Sequence, residues 1–392
     1  MKRVIAILGV LAAVVIALAL IGWPASNYRH NDFAGFWVGS RMLLDGADPY
    51  DFELFLAQHR AIGSQGLAIN PPGTAYGYPL TAALVFAPFA LVPVEIAAPL
   101  WLVTQVALAC TALLMLCRTL FPRTFRRDAL VLFGIGAACQ PAWLLAAGGN
   151  LGGYLLAIAA ASAAALLNGR PFIAGAVAGL LVIKPHPLLV AVVLILVGLP
   201  RAVALRAAAG AAAVAGPIVL VTLALRPGWI AEFVLPFTRI AGAPVPRSTL
   251  FGIVPAELRI VAVAIALAVV ASFIVWVRTR QPRLTIVIGA ALPVSLFVIP
   301  YGWSYDHLIL LVSAAVALWF VADAEPRARF AVLLALAIVF VPLTWMLFSM
   351  AFVRGNESLS ALTPLAVLAV LFLSSRVTAR AAPISEPAHS TA

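Results

Sequence analysis

Asp32 follows an apolar run over 4–23 by about nine residues and opens the stretch Asp32-Phe33-Ala34-Gly35-Phe36-Trp37. A carboxylate beside apolar surface has its pKa raised toward values useful to a general base, here one facing a lipid-borne substrate. The same residue type also suits a helix N-cap. Lys184-Pro185-His186-Pro187 interrupts the apolar stretch 172–199. Ionisable groups at such depth need a partner, and proline frees backbone groups, so two converging cations there can make a pocket for a phosphate. Lys184 can instead snorkel to the surface. Tyr305-Asp306-His307 follows Pro300-Tyr301-Gly302-Trp303-Ser304. These residues can wall a sugar or headgroup, or they can be a helix-start acid and a satisfied polar residue. Asn150, after two glycines, reads as a turn residue more readily than as a ligand.

Other chemistries find no support. Cys110, Cys117 and Cys139 lie in apolar stretches without CxxC or Cys/His spacing and read as packing residues. No HExxH, Walker A or strand-placed GxGxxG occurs, so neither a metal nor a cofactor is expected. Asp48 and Asp51 flank Pro49-Tyr50 but fall far short of an oxygen cage for a cation.

The elements that must hold these groups are membrane helices. Of 392 residues, 64% are hydrophobic and 10% charged, and mean hydropathy is +1.09. A soluble domain has no interior able to hide that much apolar surface, which predicts an all-α polytopic membrane protein. Apolar runs place twelve spans near 4–23, 97–117, 128–146, 151–168, 172–183, 187–199, 207–225, 259–277, 284–300, 306–322, 330–348 and 359–375. Both termini are then cytoplasmic. Sixteen of the 25 basic residues but only four of the 14 acids fall inside, so the faces carry +12 and −1. A single span over 172–199 would invert everything downstream and spoil this asymmetry. The Lys-Pro-His-Pro turn therefore joins two half-spans and points outward. The short stretch 79–93, bounded by prolines, reads as re-entrant or interfacial.

Residues 1–375 form one membrane domain, and 376–392, rich in Ala, Pro and Ser, a disordered cytoplasmic tail. Loop 24–78 is extracytoplasmic and carries interfacial helices. Phe33, Phe36, Trp37, Met42 and Leu44 face the bilayer in the first, and the second runs from Phe52 to Ile62. The unusual polar residues thus gather on the outer face.

At these residues the chain resembles glycosyltransferase family 87, polytopic enzymes of the GT-C superfamily. The resemblance runs through Asp32, Phe33, Phe36 and Trp37, then Leu43-Leu44-Asp45-Gly46-Ala47-Asp48-Pro49-Tyr50-Asp51. It continues through Tyr78-Pro79-Leu80, Ala87 to Pro93, Lys184-Pro185-His186-Pro187 and Tyr305-Asp306-His307. The chain departs from the family's usual Tyr-Pro-Pro at Tyr78-Pro79-Leu80, and from its Gly-Gln-x-Asn at Gly148-Gly149-Asn150. The resemblance implies transfer of a sugar, mannose by family weight, from a polyprenyl-phosphate donor to an envelope glycolipid or glycan. That reaction would run on the outer face of the cytoplasmic membrane. It implies Asp32 as base, and Lys184 and His186 on the donor phosphate with outer-loop arginines such as Arg239 or Arg247. Tyr50, Asn150, Tyr305, Asp306 and His307 would bind sugar or acceptor. A lipid or solute transporter is the rival, since a Pro-broken helix suits one too, but the chain shows no related halves.

Overall fold

The computed structural model describes residues 32–64, 76–240 and 247–380, and among them every regular element is a helix. The expected span 4–23 lies outside the described residues. The chain runs through α1 (Asp32–Leu44), α2 (Phe52–Ala61) and α3 (Leu80–Phe86), which tightens into a 3₁₀ turn, Ala87–Leu91. Then come α4 (Val94–Leu120), α5 (Phe125–Ala138), α6 (Gln140–Gly148), α7 (Gly152–Leu167) and α8 (Pro171–Gly179), the last extended by 3₁₀ turn Leu180–Ile183. Next are α9 (His186–Gly198), α10 (Arg201–Leu225), α11 (Trp229–Ile240), α12 (Leu250–Ile253), α13 (Arg259–Arg280) and α14 (Leu284–Val298). A 3₁₀ segment, Ser304–Leu310, leads into α15 (Leu311–Phe320). Finally α16 (Pro326–Ile338) and α17 (Thr344–Arg354) join through a π turn, before α18 (Leu362–Arg380).

Local chemistry sets many of these ends. Pro141, Pro171, Pro187 and Pro326 sit in first turns, where a missing N–H costs nothing. Gly149 and Gly355 end α6 and α17 in the left-handed conformation, at φ 59° and 68°. Asp51 caps α2 by accepting from the Leu54 N–H at 3.0 Å.

Among the described residues, five helical stretches are long and apolar enough to cross a membrane: Val94–Leu120, Arg201–Leu225, Ala256–Arg280, Pro326–Arg354 and Ser358–Arg376. The pair α5 and α6, bent by 60° at Cys139, makes a sixth if it forms one span. The protein is thus an all-helical, multi-pass membrane protein. Every window expected from 97–117 onward falls on a helix. The last helix continues to Arg380, past the boundary placed at 375.

The expected orientation of α1 is corrected. Phe33, Phe36 and Met42 are each 1% exposed, so these residues face protein. Phe33 and Phe36 pack on Trp101 of α4 at 5.3 and 5.1 Å between ring centroids. Trp37 donates to the Val92 carbonyl at 3.1 Å. Of the five expected bilayer-facing residues only Leu44 is exposed. Aromatic partners on α3 and α4 offer both apolar burial and ring contacts, which a lipid surface supplies less specifically.

Close backbone approach is the other packing device. A Cβ at Gly175 would collide with the Ala207 carbonyl, one at Gly210 with that of Phe172, and one at Gly179 would stand 2.7 Å from the Ala211 oxygen. Helices α8 and α10 therefore meet through small residues, with a Gly-x-x-x-Gly spacing on α8. Gly175→Ala should destabilise the protein by about 1–3 kcal/mol, the usual cost of overpacking. Gly216→Ala, on α10 but with open space at its Cβ position, should be near neutral. Thermal unfolding of both in detergent checks this, and equal midpoints would refute the close approach.

Candidate functional site

The centre of the site is a buried ion pair. Lys184 ends the 3₁₀ turn after α8 and takes an extended φ of −159°. Asp306 lies in the first turn of the segment Ser304–Leu310. The two are 122 positions apart, yet Lys184 Nζ donates to Asp306 Oδ1 at 2.7 Å, with the side chains 3% and 0% exposed. Asp306 Oδ2 accepts from the Trp303 N–H at 3.2 Å. Both carboxylate oxygens are therefore occupied, one by a cation and one by the start of its own helix. The Lys184 ammonium also lies 4.6 Å from the centre of the Tyr305 ring. Snorkelling is thereby excluded for Lys184. Its charge is balanced within the protein, a partner that the sequence alone did not indicate.

Asp32, at the start of α1, is within electrostatic reach of both members of that pair. It is open enough to be reached at its surface yet crowded by protein all round. Desolvation pushes its pKa up to about 6, against the opposing pull of Lys184 and with a further push from Asp306. Such a carboxylate is ionised at neutral pH and still basic enough to take a proton.

Aromatic rings surround these charges. Tyr78, Tyr301 and Tyr305 each interact electrostatically with Asp32 and Asp306. Phe36 packs on Tyr78 at 4.2 Å, Trp303 Nε1 donates to the Tyr301 hydroxyl at 2.7 Å, and Trp303 stacks with Tyr305 at 6.4 Å. The His186 ring meets Tyr301 at 5.6 Å. Its Nε2 is shut off from solvent and has no hydrogen-bond partner among the described residues.

The structure thus gathers Asp32, Lys184, His186, Tyr305 and Asp306. Three other expected residues sit around this cluster. Tyr50 donates to the Tyr78 carbonyl at 2.8 Å, so it supports a ring of the wall. His307 is buried and hydrogen-bonds to the backbone of Ser248. Asn150 serves its own turn: Oδ1 accepts from the Gly152 N–H at 2.9 Å and Nδ2 donates to the Leu144 carbonyl at 2.9 Å. The turn is held from α4, where Trp101 donates to the Gly149 carbonyl at 2.9 Å and Gln105 to that of Asn150 at 2.7 Å. The turn reading accounts for all of these contacts. The side chain of Arg239 lies outside what is described.

Sequence reasoning missed several contributors. Glu357 accepts from the Ser304 N–H at 2.8 Å, fixing the entry to Asp306 from a loop 53 positions away. Arg226 forks to Glu232 at 2.6 and 2.9 Å and also pairs with Asp48. It thereby ties the Asp48-Pro49-Tyr50-Asp51 turn to α11. Neither Glu357 nor Arg226 stands in a recognisable motif, so only its tertiary neighbours mark it.

The chain is thus a multi-pass helical protein that gathers a carboxylate of raised pKa, a buried ion pair and aromatic rings in one place. Residues 76–300 match the model of glycosyltransferase family 87. That is more than half of the chain, which therefore belongs to this family and is a membrane glycosyltransferase. No curated protein and no solved structure matches the chain significantly. The matched stretch holds Tyr78, Lys184 and His186. Asp32 and Tyr305-Asp306-His307 lie beyond it and join them only by packing.

Proposed function

We propose that the protein transfers a sugar, mannose, from a polyprenyl-phosphate donor to an envelope glycolipid or glycan acceptor, on the extracytoplasmic face of the cytoplasmic membrane. The single observation that carries this reading is the pairing of a reachable Asp32 of raised pKa with aromatic side chains suited to a sugar. A donor anchored by its own lipid needs no nucleotide-binding domain, and the chain has none of the motifs of one. In this reading the helices too short to pass the length test alone, such as α7 and α14, also cross as parts of a twelve-span bundle. The first outer loop carries the base.

The reaction is a direct displacement at the anomeric carbon. Asp32 takes the acceptor hydroxyl proton as that oxygen bonds to the carbon, and the bond to the donor phosphate oxygen breaks. The Lys184–Asp306 pair holds a fixed charge pattern around Asp32. His186 Nε2 supplies a polar contact for a donor oxygen. The purified protein in liposomes, given an acceptor-lipid extract and either radiolabelled polyprenyl-phosphate mannose or radiolabelled GDP-mannose, tests this. Label should pass to lipid acceptor from the first donor and not from the second. Transfer from the nucleotide sugar alone would overturn the reading.

A further inference from the structure

Arg247, Ser248 and Thr249 lie in the loop before α12 and are 7%, 0% and 1% exposed. Buried polar groups are almost always hydrogen-bonded, because leaving one unmet is costly. Yet Ser248 Oγ and Thr249 Oγ1 are both buried without a hydrogen-bond partner among the described residues.

The segment is nonetheless firmly placed. The Ser248 N–H donates to the Gly302 carbonyl at 2.9 Å, and His307 hydrogen-bonds to the Ser248 backbone. A Cβ on Gly302 would come 3.1 Å from Thr249 Cγ2, and one on Gly252 would collide with the Arg247 carbonyl. This backbone therefore rests directly on the segment that carries Tyr301 and Asp306. Tyr301 is the link, since its hydroxyl interacts electrostatically with Asp32, Asp306 and Arg247.

A guanidinium followed by two adjacent hydroxyls matches an oxyanion, which offers several acceptors and a charge. Lys184, expected to meet the donor phosphate, already has Asp306 as its counter-charge. We propose that Arg247, Ser248 and Thr249 form the oxyanion subsite that holds the donor's phosphate group. This rests on the lipid-phosphate donor of the reading above and assigns that group a place in the structure. His307 is then a positioning residue, holding the Ser248 backbone.

Binding of a short-chain polyprenyl phosphate and, separately, of inorganic phosphate to the full chain in nanodiscs tests the subsite. The variants are Ser248→Ala/Thr249→Val, Arg247→Gln and, as a control, Gly216→Ala, whose Cβ position is open, each checked for monodispersity and unchanged melting. The double variant and Arg247→Gln should each bind the lipid phosphate at least 10-fold more weakly, with Gly216→Ala unchanged. Inorganic phosphate should compete for the wild-type site alone. Wild-type protein that binds inorganic phosphate in this residue-dependent way but ignores the lipid phosphate would keep the oxyanion subsite and overturn the polyprenyl donor. Unchanged affinity in both subsite variants, or no binding of either probe by wild type, would overturn the subsite. Turnover with a labelled lipid donor would still judge the transferase reading independently.

Discussion

Asp32→Asn should lower turnover by ~10²-fold or more, the usual scale for removing a general base, while the protein stays folded. The amide keeps the size and an acceptor oxygen but gives up basicity. Burial has pushed the Asp32 pKa up to about 6, so the pH profile carries an independent signature. Below that value the carboxyl is protonated and unable to accept the acceptor's proton. Wild-type kcat/KM should therefore rise through a limb centred near pH 6, and Asp32→Asn should lack this limb. Stability should move the other way. A carboxyl with a folded pKa raised above 3.8 favours the fold fully below that value and loses this contribution as pH rises through about 6. At pH 7.5 the Asn variant should thus be at least as stable as wild type. Near-native turnover with an unchanged pH profile would remove Asp32 as the base. Asp306 would be a poor successor, because both of its oxygens are already engaged.

Breaking the Lys184–Asp306 pair should give the largest loss of stability. Lys184→Met leaves a buried carboxylate and Asp306→Asn leaves a buried ammonium. Each should cost about 3–5 kcal/mol, the scale for uncovering one charge of a buried pair. The double variant Lys184→Met/Asp306→Asn removes both charges and keeps an oxygen able to accept from the Trp303 N–H. It should recover most of the lost stability, giving a coupling well outside the range of independent sites. Activity should not return with it, because the fixed charge pattern beside Asp32 is then gone, even though desolvation remains the main cause of its raised pKa. Melting midpoints of the four proteins in one detergent measure the cycle. Additive losses would show that the 2.7 Å contact does not couple the two residues energetically.

What the sequence determined by itself is the material and its punctuation. Apolar runs in a chain with 10% charged residues left helices as the way to satisfy the backbone in lipid, and helices stand at every described window. Proline and glycine marked many of their ends, as at Pro171, Pro187 and Gly149. The same local chemistry made a helix after Asp51 and broke one at Lys184-Pro185. Candidate chemistry was legible as well, because Asp32, Lys184 and Asp306 stand out as polar groups against an apolar background.

Which of these residues meet, and on which side of a helix they lie, only the tertiary structure decided. In water, the apolar face of a helix identifies its interior, but in a membrane both lipid and protein are apolar, so the pattern no longer distinguishes them. Phe33 and Phe36 were therefore open to either, and aromatic contacts with Trp101 took them inward. The partner of Lys184 was equally unreadable. A charge in a membrane segment calls for an opposite charge, but sequence spacing says nothing about a carboxylate 122 positions away. Asn150, by contrast, reads from its two glycines as a turn residue more readily than as a ligand, and its hydrogen bonds to Leu144 and Gly152 are those of a turn. Lys184 is governed by a partner that packing brings within hydrogen-bond distance, and that partner lies far off along the chain.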